Sequence, residues 1–103
     1  MRGAASKRRP MLVVSDDVFN ENERYPKVMA VHLTSTDRLG RDYDWEVPLP
    51  KGTAGLPRAS VVKCGEVYTL WKEDLEGPAS TLPHSTMRRV DAALAVALGL
   101  ARS

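Results

Sequence analysis

SVVKCGEVYTL, residues 60–70, is the stretch on which the fold turns. Its valines and alternating hydroxyl and aromatic residues read as strand, either one long strand or two short ones. Gly65 interrupts it, and an isolated glycine in a strand pattern marks a bulge or a bend. A strand bent at its middle cannot belong to a flat sheet. Upstream, VMAVHLTST (28–36) is a second strand, with Met29, Val31 and Leu33 on one face and Val28, Ala30 and His32 on the other. YDWEVPL (43–49) alternates Tyr43, Trp45 and Val47 against Asp44 and Glu46, and Pro48 closes it. MLVVSD (11–16) is a short valine-rich buried strand, followed by the polar loop DVFNENERYPK. Downstream the period changes. Met87, Val90, Leu94 and Leu98 fall three and four apart, one apolar helical stripe with Ser85 as its N-cap and Gly99 at its C-terminal stop. Four to five short strands and then one helix predict a mainly β protein with a C-terminal helix (α+β), a small, strongly bent sheet or barrel with the helix packed over it.

The chain has 103 residues, enough for one core, so residues 1–103 are expected to form a single domain with residues 1–7 as a flexible basic tail. A net charge of +2 says little about partners, but its distribution says more. Arg2, Lys7, Arg8 and Arg9 gather before the first strand without an acid among them. The single cysteine, Cys64, excludes an internal disulfide and any multi-cysteine metal site, and fits a reducing cytoplasm. The longest apolar run near the end, AALAVALGL, is far shorter than a membrane span, and no apolar signal core opens the chain.

Few residues are left to carry chemistry. His32 and His84 stand far apart and outside any ligand spacing, so no metal is expected. Cys64 sits in an apolar strand, where a thiol is inert rather than nucleophilic. Aromatic residues make up only 6%, which does not suggest a stacking platform for nucleotides. Two features remain. Pro10 biases Arg9 towards an extended backbone and fixes the root of its side chain at the sheet rim. TST (34–36) places three hydroxyls at a strand end. A guanidinium with hydroxyls makes a phosphate site, while a solvated tail with a hydroxyl-rich turn gives the same residues. The residues alone leave both readings open.

RRPMLVVSDDVFN (8–20), VMAVHLTST, EVPLPKGTAGLPRASVV (46–62) and STMRRVDAALAVALGL (85–100), in that order and spacing, resemble the MazF/PemK toxins of toxin–antitoxin systems. The resemblance runs over roughly residues 8–100 and implies a homodimeric SH3-like barrel of the MazF/PemK/CcdB kind. It implies a metal-independent ribonuclease, without cofactor, that cuts single-stranded RNA and is silenced by an acidic antitoxin. Arg9 and Thr34 correspond to the catalytic pair, and Lys7, Arg8, Asp16, Ser35, Ser60 and Glu66 to RNA-facing positions. Val61, Val62, Val67 and the helix start are expected in the dimer seam. Three departures stand out: only MRGAASK precedes Arg8, where the family has a strand; Glu66 replaces a glutamine; and PHST replaces the usual helix start. Without its first strand the neighbouring one would have a bare edge. A catalytically dead binding module and a topoisomerase-poisoning toxin are the alternative functions.

Overall fold

A computed structural model describes residues 2–5, 10–37, 39–76 and 80–100. Six strands, β1 (Ala4–Ala5), β2 (Met11–Val13), β3 (Lys27–Ser35), β4 (Glu46–Leu49), β5 (Ser60–Trp71) and β6 (Ser80–Thr81), form one antiparallel sheet in the order β4-β5-β3-β2-β1-β6. A one-turn helix α1 (Asp17–Asn20) follows β2, and α2 (His84–Ala97) ends the fold. The sheet curls into a half-barrel around Leu12, Val31, Leu33, Val47, Leu49 and Val62, and α2 covers the opening with Met87, Val90 and Ala93. A 3₁₀ turn at Thr53–Gly55, just after β4, reaches β6 and narrows the gap between the two sheet edges.

The bend expected at Gly65 is the hinge of this curl. Val31 pairs with Val67 and the next residue, His32, with Lys63, so Cys64, Gly65 and Glu66 have no partner on β3. The extra residues bulge, increase the local twist and turn the two halves of β5 in different directions. The first half packs on the core; the second is largely open, with Val67, Tyr68 and Trp71 exposed.

Several boundaries differ from the sequence pattern. β2 ends at Val13, and the loop after it holds α1, capped by Asp16, whose Oδ2 accepts the Val18 N–H at 2.9 Å. β4 starts only at Glu46, so Tyr43 and Trp45 lie in the preceding loop, and it is Glu46 that is buried. Pro48 stands inside β4 rather than closing it; an edge strand tolerates the missing N–H. Both faces of β3 are covered along part of its length, since Val28 and Ala30 are as buried as Val31. Helix α2 begins at His84 behind Pro83, one residue before the expected cap, without a side-chain cap. Its end follows expectation: Gly99, at φ +74°, allows Leu100 N–H to reach Ala95 O and Gly99 N–H to reach Val96 O, a Schellman motif. Leu98 falls beyond the buried stripe and is exposed; Ala93 takes the inward place.

The supposed tail also differs. Ala4–Ala5 lies between β2 and β6 and pairs with both, and Gly3 donates to Val13 O at 2.6 Å. At φ +80° Gly3 adopts a backbone that other residues reach only with strain, and its carbonyl accepts Leu82 N–H at 3.2 Å. Arg2 pairs with Asp91 on α2. The edge of β2 is therefore not bare, which corrects the expectation drawn from the short segment before Arg8.

Candidate active site

Thr34 lies near the end of β3 opposite Val61, and its register defines the site. Residues two apart on a strand share a face. Leu33 and Val62 therefore face the core, while Thr34, Val61, Lys63, Glu46 and Pro48 share the outer face of the sheet. Residues 36–37 and 39–45 lead from β3 to β4 over that outer face. Beneath them is a cleft of about 150 Å³ lined by Thr34, Ser35, Thr36, Arg41, Glu46 and Lys63, among others. Loop placement comes from ordinary contacts: Thr36 N–H donates to Ala59 O at 2.9 Å, and Arg58 pairs with Asp37 at 2.9 Å.

The floor of the cleft is ionic. Lys63 Nζ donates to Glu46 Oε2 at 2.8 Å, and the Asp42 N–H donates to Glu46 Oε1 at 3.1 Å. Burial alone would raise the Glu46 carboxyl, but the Lys63 hydrogen bond, the Asp42 N–H and the Lys63 charge together hold it below its ordinary value. Lys63 is pushed up, chiefly by its hydrogen bond to Glu46 and against its own burial, with added pull from Asp42 and Glu66. Arg41 reaches across to Glu46 O at 3.4 Å. Pairing of this kind makes the floor rigid. Thr34 itself is exposed above it.

The residues expected from the sequence separate into groups. Thr34 and Ser35 line the cleft, and Glu66 stands in the bulge beside it, close enough to act on Lys63. Ser60 is buried, its hydroxyl donating to Arg58 O at 3.2 Å on the core side of the sheet, and presents nothing to a ligand of the protomer. Asp16 lies at the other end of β2: Val14 and Ser15 N–H both donate to Met29 O, and Met29 is five residues before Thr34 on β3. At ~3.3 Å per residue that is roughly 17 Å, and Asp16 is engaged in capping α1. Lys7, Arg8 and Arg9 lie outside the described residues. The proline after Arg9 does not: Pro10 O accepts Leu33 N–H at 3.0 Å, so the chain enters β2 beside Thr34's own neighbour. Of the dimer-seam candidates, Val61 and Val62 are buried within the protomer, whereas Val67 is exposed.

Arg41, Glu46 and Lys63 also line the cleft, and the sequence does not single them out. A lone lysine within the apolar run SVVKC was the available signal for one of them. His32 packs edge-on against Tyr68 at 4.7 Å, an ordinary strand contact. Cys64 is fully buried, and burial first, then the charges of Asp91 and Glu46, push its thiol up to about 12. Among the described residues no group of three His, Cys, Asp or Glu side chains is placed to hold a metal ion. Nor is any described helix long and apolar enough to cross a membrane.

The curled antiparallel sheet with its terminal helix is a fold found in proteins of known structure. Residues 2–98 match the family described as PemK-like, MazF-like toxin of type II toxin-antitoxin system. Over 95 residues the chain is 39% identical to Endoribonuclease MazF2 of Mycobacterium bovis and to Endoribonuclease MazF6 of Mycobacterium tuberculosis, covering 92% of this chain and 82% of each relative. Among solved structures, an endoribonuclease from a mycobacterial species superimposes with a TM-score of 0.81 at 27% identity, covering 100% of this chain and 94% of that one. An endoribonuclease in complex with its cognate antitoxin, also mycobacterial, gives 0.79 at 28% identity, with 100% and 98% covered. The chain belongs to the PemK/MazF toxin family.

Proposed function

We propose that this chain is the toxin of a type II toxin–antitoxin pair, an endoribonuclease that cuts single-stranded RNA by way of the RNA's own 2′-hydroxyl. The observation that carries this reading is the placement of the exposed Thr34 on a rigid cleft floor, with Pro10 fixed one residue away in the sheet. The 2′-oxygen attacks the adjacent phosphorus, the bond to the 5′-oxygen breaks, and the products carry a 2′,3′-cyclic phosphate and a 5′-hydroxyl. Negative charge grows on the phosphoryl oxygens during the attack. Thr34 donates a hydrogen bond to one of them, and Arg9, which stays protonated, supplies a bidentate cation. Arg9 is therefore an electrostatic stabiliser and not the base. The proton of the 2′-hydroxyl goes to an acceptor outside this pair, and the departing 5′-oxygen takes up a proton in turn to become the 5′-hydroxyl. Glu66 is better placed for that than Asp16, which caps α1 at the far end of β2.

The same reading assigns the cytoplasm as its compartment, single-stranded RNA as substrate and an acidic antitoxin segment as inhibitor, folding against Lys7, Arg8 and Arg9. A two-fold dimer is part of it. Met29, Val67 and Trp71 leave an exposed apolar face on the outer half of β5 and its β3 partner, suited to a second copy. A dead binding module or a topoisomerase poison gains no support, because the cleft is formed and the matched relatives bear the name endoribonuclease.

Single-turnover cleavage tests the assignment. Thr34→Ala and Arg9→Ala should each slow it by roughly two to three orders of magnitude, the loss seen when one preorganised donor is removed from an oxyanion site. Arg9→Lys should fail as well, since an ammonium lacks the bidentate fork. Cleavage unchanged in Thr34→Ala refutes the site.

A further inference from the structure

Tyr43 and Trp45 pack as parallel rings, with centroids 4.6 Å apart and planes 5° from coplanar, on the loop that covers the Thr34 cleft. Both residues stay open to solvent, Tyr43 by 53% and Trp45 by 38%. Two rings held face to face at a surface, rather than turned inward, leave an aromatic face on which a further ring can stack.

Their positions are fixed from below. The indole edge of Trp45 rests on Gly65 in the β5 bulge, where a Cβ would come within 2.8 Å of Cδ1 and 2.9 Å of Nε1. Trp45 O accepts Cys64 N–H at 3.2 Å, and Tyr43 O accepts Glu46 N–H at 3.1 Å. The glycine that bends the strand thus also seats the ring. On the same loop Gly40, Arg41 and Asp42 line the cleft, and Glu46 follows Trp45 directly. The ledge therefore borders the hydroxyls and cations of the site.

We propose that the Tyr43–Trp45 pair is a stacking ledge for one nucleobase of single-stranded RNA next to the scissile phosphate. The proposal rests on the ribonuclease reading and adds a binding residue pair to it. Every base has an aromatic face, so such a ledge suits an unpaired strand. Charge complementarity favours a base over other occupants. Asp42 and Asp44 flank the rings and repel a phosphate from the ledge itself, whereas Arg41, 3.9 Å from Asp44, supplies positive charge beside it. The backbone of the RNA is steered to the cleft and an uncharged base to the rings.

The fluorescence test uses the full chain carrying Trp71→Phe, which leaves Trp45 as the only tryptophan. That variant is first matched to the wild type in dimer mass and cleavage rate, because Trp71 lies on the face assigned to the second copy. KM and dimer dissociation are read in the wild-type background. The principal cut in a long transcript is mapped first. The probe is then a short RNA spanning that cut, with deoxyribose at the scissile position only. Binding should quench Trp45 emission, and one abasic position flanking the cut should abolish the quench and weaken binding roughly tenfold. Tyr43→Ala should raise KM by a similar factor at unchanged kcat, Tyr43→Phe should not, and the abasic probe should cost Tyr43→Ala nothing further. RNA bound and cut, with no quench and with KM indifferent to Tyr43→Ala, overturns the ledge while leaving the ribonuclease reading in place. A Tyr43→Ala variant whose dimer dissociates more readily, at unchanged RNA affinity, overturns it in favour of a protein contact. If no transcript is cut, the ribonuclease reading fails and takes the ledge with it.

Discussion

Replacing Lys63 by methionine should change how the protein's stability depends on pH, and not merely lower it. Glu46 is 4% exposed at its side chain and Lys63 28%. Breaking a fully buried ion pair costs about 3–5 kcal/mol, and an exposed one about 0–1. With one partner partly open to water, ~2 kcal/mol is the expectation at pH 7, or a fall in Tm of roughly 10 °C for a domain of this size. In the wild type the Glu46 pKa is depressed below 4.5, so its contribution is present above that pH and is lost as pH falls through the folded value. Lys63 is raised above 10.5, so its contribution is present below that value and is lost as pH rises through the folded one. Without the lysine, burial, the largest influence on Glu46, is opposed only by hydrogen bonds to the backbone, and the carboxyl moves up from its wild-type position. The less its pKa is depressed, the less stability it contributes above that pKa. The gap in Tm between wild type and Lys63→Met should therefore be largest near pH 7 and should shrink towards pH 4. Differential scanning calorimetry at fixed protein concentration measures it, because a dimer's Tm moves with concentration. A gap that stays constant between pH 4 and pH 7 would refute the ionic account of the cleft floor.

Two further outcomes test the local geometry. Gly65→Ala sets a methyl against Trp45, so the near-ultraviolet circular dichroism of the stacked rings should change and stability should fall by about 1–3 kcal/mol; an unchanged spectrum and Tm would contradict the seating of Trp45. Cys64, buried and with its thiol pushed up to about 12, should react with iodoacetamide at pH 8 at least ~10³-fold more slowly than a free thiol near 8.5, until denaturant is added; labelling at the free-thiol rate would contradict its burial.

How much of this was legible before the structure can be read from particular residues. Strand β3, the bend at Gly65 and the Gly99 stop were visible because each depends on local chemistry: a valine-rich alternation, a missing Cβ, a left-handed cap. Thr34 was visible as the hydroxyl at a strand end. What failed was long-range. Tyr43 and Trp45 looked like the inward face of β4 because they alternate with acids, but the strand begins three residues after Tyr43. A loop crosses the outer face there and buries Glu46 against Lys63, a pairing between residues 17 apart in sequence. Ser60 resembled an RNA-facing serine, yet its register with Leu49 and Ser35 turns it towards the core. The two-residue strand Ala4–Ala5 has no sequence pattern of its own; pairing with Leu12 on one side and with Ser80 and Thr81 on the other makes it a strand.

Cleavage through the 2′-hydroxyl requires the ribose at the scissile nucleotide. The direct measurement is single-turnover cleavage of one RNA sequence in two forms, all-ribose and with 2′-deoxyribose at the scissile nucleotide alone. The ribose form should be cut to a cyclic phosphate and a 5′-hydroxyl while the deoxy form stays intact, although it binds with similar affinity. Equal cleavage rates for the two forms would contradict attack by the 2′-hydroxyl.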